Sequence, residues 1–483
     1  MKKLMMQKHV YPEKVLQFGT GNFLRAFTVW MIDRMNKESN FNGSVVTVQS
    51  TNSGTADKIN RQNGLYTLCL QGIVDDQPVK EYEVIHSISR ALNLHKQYNE
   101  YIELAKSPDL RFVVSNTTEA GIVYDADDCL DDRPQNSFPG KLTAFLYHRF
   151  QYFKGNKSKG LIIIPCELID RNGDMLKEII LQLADDWGLE ANFADWIKEA
   201  NYFCNSLVDR IVPGFPKDQM EEIEAELGYR DELIVTGEQY HLWAIEGPDF
   251  LREEFPAEEV GLNVKIVEDL APFRESKVYI LNGAHTAMTP IAYLCGLETV
   301  GETMEDPETR RFVEELILEE VIPGTDLPEA EMKAFTKDVL SRFSNPFIQH
   351  YLLSISLNAM AKFKARNLPV LLSYVEKYEK VPERIAFALG AWIAFYRGKR
   401  GDEDIQLSDE ETILAFFKKI WSSHEGSDQA LREIVKSVLA YEKLWDQDLN
   451  EIQGLTESVW MHLLEIERNG MQSALKNIVI EKV

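Results

Sequence analysis

Three polar side chains interrupt an apolar stretch late in the chain: Lys277, Asn282 and His285, within RESKVYILNGAHTAM, residues 274 to 288. At about 100° per residue, Asn282 falls about 140° and His285 about 80° from Lys277, so a continuous α-helix lets all three line one side of a cleft. A lysine desolvated in such a stretch is suited to exchanging a proton with an alcohol near neutral pH. An asparagine amide and an imidazole N–H orient a carbonyl and stabilise negative charge as it develops on oxygen. The same residues also read as a snorkelling lysine, a capping asparagine and a satisfied core histidine. Zinc needs clustered ligands, and neither His285 alone nor the five scattered cysteines, none of them in a CxxC pair, supply them. No metal is expected.

A second segment with chemical use lies near the N-terminus. Val15, Leu16, Gln17 and Phe18 read as a strand that runs into Gly19, Thr20, Gly21, Asn22 and Phe23; Leu24, Arg25 and Ala26 then open a helix whose apolar positions continue through Phe27, Trp30, Met31 and Met35. Glycines in such a turn let a backbone approach a pyrophosphate, and the free N–H groups that begin the helix favour its charge. Residues 15 to 26 are therefore the candidate cofactor-binding segment. The pattern is incomplete, because Leu24 occupies the third glycine position of GxGxxG, and an ordinary tight turn fits the spacing equally well. The second strand, Ser44 to Gln49, ends in Gln49, Ser50 and Thr51, which provide neither the carboxylate that selects NAD nor an arginine for NADP.

The elements that must position these groups are legible as a pattern. Short β-branched runs at Val15 to Phe18, Val45 to Val48, Phe112 to Val114 and Leu161 to Ile164 alternate with helix-period segments, which implies a parallel sheet with crossover helices. From about Pro272 onward the sequence reads as helices almost without strand signals. The expected fold is α/β: a Rossmann-like dinucleotide-binding domain over residues 1–270, then a mostly α-helical domain over 271–483. A chain of 483 residues with 45% hydrophobic content has the material for two cores. Its formal charge of -25 argues against nucleic-acid and anionic-membrane partners. No run approaches a membrane span or a signal peptide, and the odd, dispersed cysteines fit a reducing compartment, so a cytoplasmic location is expected.

Taken together, these residues resemble the mannitol dehydrogenase family of polyol-specific long-chain dehydrogenases, whose pattern joins a GxGxFxR loop to K-x4-N-x2-H. The matching residues are Gly19, Gly21, Phe23 and Arg25, then Lys277, Asn282 and His285; NSLVDRIVP, residues 205 to 213, resembles a further family stretch between them. Longer segments, among them VLQFGTGNFLRAF, FVVSNTTEAGI and SNPFIQHYLLSISLNAMAKFKAR, resemble the members that act on hexuronates. Cys166, Glu167 and Leu168 stand where mannitol dehydrogenases and mannonate-type oxidoreductases carry a CDN-type sequence, a departure that weakens a plain polyol assignment. The resemblance implies reversible, metal-independent and NAD-dependent reduction of D-tagaturonate to D-altronate in hexuronate catabolism, with Lys277 as acid/base. It also implies a substrate-binding role for Lys362, with Asn345, His350 and Asp209 as further candidates.

Lys362, Lys364 and Arg366 place three cations within five positions of an acidic chain, which suits a carboxylated substrate, although a solvated helix face would look the same. Asp209 and Arg210 also read as a structural ion pair, and Glu119 as either a group near the nicotinamide or a helix N-terminal acid. The sister reactions, fructuronate to mannonate and fructose to mannitol, remain alternatives, as does a non-catalytic NAD(H)-binding sensor. Oligomeric state and the choice between NAD and NADP are left open.

Overall fold

The computed structural model describes residues 2–4, 9–75, 77–117 and 121–479. Two compact units divide the chain: Met1–Val74 with Val79–Ala271, and Asp75–Pro78 with Pro272–Val483. The first is built on six strands: β1 (Glu13–Phe18), β2 (Ser44–Gln49), β3 (Ile88–Asn93), β4 (Phe112–Ser115), β5 (Ile162–Pro165) and β6 (Tyr202–Phe203). They lie in the order β3-β2-β1-β4-β5-β6, and every pairing is parallel. This is the doubly wound order of dinucleotide-binding sheets.

A parallel sheet covered on both faces needs strands that are apolar on both. Here Val15, Val45, Phe112, Val114, Ile162 and Ile164 enter one core. Their chain neighbours Leu16, Val46, Val113 and Ile163 enter a second core on the opposite face, together with Phe18 and Val48. The β-branched runs seen in the sequence are these central strands. Smaller sheets are also present among the described residues: Tyr66–Val74 between Val235–Glu238 and Gln77–Ile85, Leu242–Glu246 between Asn205–Asp209 and Val264–Val267, and the pair Lys2–Lys3 with Tyr229–Arg230.

Expectation and structure differ around the first helix. The segment after the glycine turn is two helices, α1 (Asn22–Ala26) and α2 (Thr28–Glu38), broken at Phe27 where φ is -125° and ψ is -88°. A single helical turn accumulates little macrodipole, so the local N–H groups matter more there than a long-helix field.

The second unit is helical; its only strands among the described residues are the pairs Lys399–Arg400 and Glu403–Asp404. Four helices concern the site: α3 (Gly283–Leu294), α4 (Glu329–Phe343), α5 (Ala359–Arg366) and α6 (Glu383–Phe395). Helix α6 is buried from Ile385 through Phe395, and a helix apolar all round belongs at the centre of its core. Among the described residues, no helix is long and apolar enough to cross a membrane.

Candidate active site

The glycine turn leaves the C-terminal end of β1 beside the end of β4, the switch point where strand order reverses and ligands of such sheets bind. Gly19 needs its lack of side chain: φ is +119°, and a Cβ would meet Asn116 O and Leu24 Cδ1, each at 3.1 Å. Gly21 is different. A Cβ there would meet nothing within 4 Å, and no side chain caps the N–H groups of α1 that follow it. An exposed, uncapped backbone next to an open position fits the close approach of a dinucleotide phosphate.

Within the segment from residue 15 to 26, the side chains of Val15, Leu16, Gln17, Phe18, Thr20, Leu24, Arg25 and Ala26 are buried, which leaves Gly19, Gly21, Asn22 and Phe23, with the backbone of the turn, as the part able to face a ligand. Gln17 accepts from Thr28 Oγ1 at 3.0 Å and donates to Gly19 O at 2.9 Å, bracing the turn from inside. Arg25 donates to Leu233 O and, at 2.7 Å, to Asn22 Oδ1, while its guanidinium packs over Tyr66. Burial pulls its pKa down despite the neighbouring Tyr66 and Asp231. Its visible work is to fix Asn22. Arg210 acts alike on the other end of α1, donating to Ala26 O at 2.7 Å and to Glu238 O at 2.8 Å.

At the end of β2, Gln49 closes its own loop: its Nε2 donates to Thr51 O at 2.9 Å and its Oε1 accepts from Ala56 N at 3.1 Å. Glu167, at the departure from the CDN-type sequence, is buried and accepts from Ser115 Oγ at 3.0 Å and from Thr117 N at 2.9 Å, tying the ends of β4 and β5 together. Burial raises its pKa. Asp209 is buried at the end of strand Asn205–Asp209 in this same unit. Glu119 lies outside the described residues.

In the second unit, Lys277 to Asn282 do not continue an α-helix. They form a π-turn that passes into α3 at Gly283. A π-turn has about 4.4 residues per turn, or about 82° each, so Asn282 lies about 50° from Lys277. Three further α-helical steps bring His285 to within about 10° of Lys277. The turn therefore gathers onto an arc of about 60° three side chains that a regular helix would spread over about 140°. Such bulges recur at functional sites because they re-aim side chains without breaking the helix.

The π-turn and the start of α3 are held from outside. Asn367 Nδ2 donates to Gly283 O at 3.1 Å, and Arg366 Nη1 donates to Thr286 Oγ1 at 3.1 Å and to Asn282 O at 3.5 Å. Pro290 lacks the N–H that would serve Thr286 O within α3; the buried Trp392 Nε1 of α6 serves it instead, at 3.0 Å. The carboxamide of Asn282 has no protein hydrogen bond among the described residues, where only its carbonyl is engaged. His285 packs on Phe343 with ring centroids 4.3 Å apart and on His350 at 5.0 Å. Its Nε2 is sealed from solvent and has no protein partner. Burial, then the positive charges of His350, Arg342 and Arg366, hold its pKa well below the usual histidine range, so the ring is neutral.

The predicted substrate residues separate in the structure. His350 and Lys362 belong to the His285 cluster: burial and Lys362 lower the pKa of His350, and burial and Arg366 lower that of Lys362. Lys362 Nζ donates to Ile355 O at 3.0 Å. Asn345 is buried, with its Oδ1 accepting from Phe347 N at 3.0 Å to close a turn. Lys364 pairs with Asp446 at 2.5 Å, an ordinary surface pair. Sequence reasoning gave Arg366 little weight and passed over Arg342 and Phe343. The i to i+4 spacing of Lys362 and Arg366 was the available signal, while Arg342 and Phe343 reach His285 only through the tertiary fold.

Comparison with known proteins agrees along the chain. Residues 13–259 match the family described as the mannitol dehydrogenase Rossmann domain, and residues 269–467 match the mannitol dehydrogenase C-terminal domain. The altronate oxidoreductase of Bacillus subtilis (strain 168) is 52% identical over 98% of this chain and 96% of its own. That of Enterobacter sp. (strain 638) is 46% identical over 97% of each. Among solved structures, a substrate-free D-sorbitol dehydrogenase aligns with a TM-score of 0.81 at 22% identity, over 96% of this chain and 95% of that one. The Pseudomonas fluorescens mannitol 2-dehydrogenase, in a ternary complex with NAD and D-mannitol, aligns with a TM-score of 0.63 at 22% identity, over 97% and 94%. With its doubly wound sheet, its helical second unit and both family matches in order, this chain belongs to the mannitol dehydrogenase family and is an oxidoreductase acting on CH–OH groups.

Proposed function

We propose that the protein interconverts D-tagaturonate and D-altronate with NAD(H), in a cytoplasmic route of hexuronate breakdown and without a catalytic metal, with Lys277 as the acid/base. The observation that carries the reading is the neutral His285, whose Nε2 is sealed and without a protein partner, on one arc with Lys277 and with the unengaged carboxamide of Asn282. Full-length similarity to proteins named altronate oxidoreductase supports the substrate.

A nicotinamide dinucleotide bound along Gly19 to Phe23 supplies the hydride for reduction and accepts it in oxidation. This chain's part is to hold the oxygen and move the proton. Asn282 and the N–H of His285 orient the ketone and stabilise charge as it accumulates on oxygen. Lys277 gives a proton to that oxygen in reduction and takes it back in oxidation. A neutral imidazole serves as a hydrogen-bond donor without competing for the proton. Lys362 and His350 contribute to substrate binding; Asp209 and Asn345 are kept as weaker candidates, because each is buried.

The test is NADH oxidation with D-tagaturonate, D-fructuronate and D-fructose in parallel. A kcat/KM for tagaturonate at least tenfold above the others is expected, and preference for another ketone rejects the named substrate. Lys277→Ala should lower kcat by about a thousandfold with NADH affinity unchanged. Undiminished turnover removes Lys277 from the chemistry. NADH binding with no turnover on any ketose or hexuronate returns the chain to the sensor reading.

A further inference from the structure

The cations of α5 fall into two kinds. Lys364 is neutralised by Asp446 at 2.5 Å. Lys362 and Arg366 are not: among the described residues, Lys362 donates to the carbonyl of Ile355, and Arg366 to Thr286 Oγ1 and the carbonyl of Asn282, all of them neutral acceptors. Both are partly buried, and at i and i+4 they share one helix face. The charge of Asp409 acts on Lys362, but none of the described carboxylates is paired with Arg366, and in a chain of 77 acidic and 52 basic residues a half-buried cation so placed is unusual. Like charges so placed repel, and burial adds to the cost of each. Besides burial, the charge of Arg366 lowers the pKa of Lys362 and His285, Lys362 lowers that of His350, and His350 lowers that of His285, which together mark a local excess of positive potential that Asp409 offsets only at Lys362. An anion docking there would relieve it.

We propose that Arg366, acting with Lys362, seats the carboxylate of the substrate and is the residue by which this site prefers a carboxylated ketose to a neutral one. The proposal rests on the reading of the Lys277, Asn282 and His285 cluster as the place where the carbonyl is reduced. Arg366 suits the task by geometry and by chemistry. One guanidinium nitrogen, Nη1, is fixed to Thr286, the neighbour of His285, and to the backbone of Asn282. The group therefore has a set position relative to both residues assigned to the carbonyl oxygen. Its Nε and Nη2 have no protein partner and are not sealed from solvent. Two N–H donors in a rigid plane match the two oxygens of a carboxylate, which a lysine alone addresses only as a point charge. Arg366 is thus a substrate-binding residue that indexes the acid end of the molecule against the carbonyl end.

The experiment compares wild type, Arg366→Gln and Arg366→Lys on D-tagaturonate, D-fructuronate and the neutral ketoses D-tagatose and D-fructose, with NADH affinity measured by fluorescence. In Arg366→Gln, kcat/KM for the preferred uronate should fall about 100-fold, mostly through KM, and at least tenfold further than kcat/KM for neutral ketoses, with NADH affinity unchanged. Arg366→Lys should recover about a tenth or more of the uronate activity, because it restores charge without the fork. Equal losses on charged and neutral ketoses, concentrated in kcat, overturn the proposal and make Arg366 a brace for Asn282 and Thr286. A wild-type preference for fructuronate over tagaturonate rejects the named substrate while leaving this test intact. A wild type that favours neutral ketoses overturns both readings.

Discussion

The rings of His285 and His350 stand 5.0 Å apart at an interplanar angle of 71°, although His285 belongs to α3 and His350 to the segment that follows α4. Two imidazoles so close cannot both carry charge cheaply, and each has its pKa lowered. His350→Gln removes one of the charges that hold His285 down, so the His285 pKa should rise. An NMR titration of the ring measures this, and an unchanged titration would leave burial and the charges of Arg342 and Arg366 as the causes.

The π-turn is a second point of leverage. Deleting Val278 should convert Lys277–Asn282 into a regular α-turn in which Asn282 and His285 follow Lys277 by four and seven residues, about 40° to one side of it and about 20° to the other, so the common arc is kept. The expected variant melts within about 5 °C of wild type, binds NADH normally and keeps kcat within about tenfold. A loss of about a thousandfold would show that the common arc alone does not sustain the chemistry.

Gly19 and Gly21 should respond differently to a single methyl group. Gly19→Ala forces a strained φ and brings Cβ against Asn116 O and Leu24 Cδ1, so a loss of about 2 kcal/mol in stability is expected in urea unfolding. Gly21→Ala meets no protein atom and should leave stability unchanged while raising the Kd for NADH by about tenfold, because the methyl group occupies the approach of the cofactor. An unaltered Kd would place the dinucleotide elsewhere.

Acid sensitivity in the first unit should trace to His241. Its Nε2 accepts from Asn263 N at 3.0 Å, and its ring stands edge-on to Trp30 at 4.8 Å. Burial, then the charge of Arg210, pushes its pKa down to about 3, against about 6.5 in an unfolded chain. The folded form then binds fewer protons than the unfolded form. Its contribution is present in full above pH of about 6.5 and is lost as pH falls towards 3, by up to about 2 kcal/mol between pH 7 and 5. His241→Gln should flatten that dependence in melts across this range; an equally steep variant assigns the acid loss to other groups.

How much of this was readable in advance depends on the kind of interaction. The central strands were visible because a parallel strand buried on both faces must be apolar at every position, as in Ser44–Gln49, buried throughout. Strand Ile88–Asn93 hid itself: ISRALN has no β-branched run, and it is a strand because it pairs with β2 at the sheet edge. The break at Phe27 was hidden for a related reason, since Leu24, Phe27, Trp30 and Met31 keep helical spacing across it.

The sequence by itself determined the chemistry on offer: which groups exchange a proton, hold an oxygen or admit a phosphate, and the order in which the two folds carry them. These follow from residue types and short spacings, which are local. Only the tertiary structure decided which of those groups meet. It replaced an α-turn by a π-turn at Lys277–Asn282, buried Arg25 under Tyr66 beside the glycine turn, and set Arg366 against Thr286 and His350 against His285. Each of these depends on contacts between segments far apart in the chain, where packing, burial and mutual charge fix a side chain's direction and protonation, and no local pattern encodes the result.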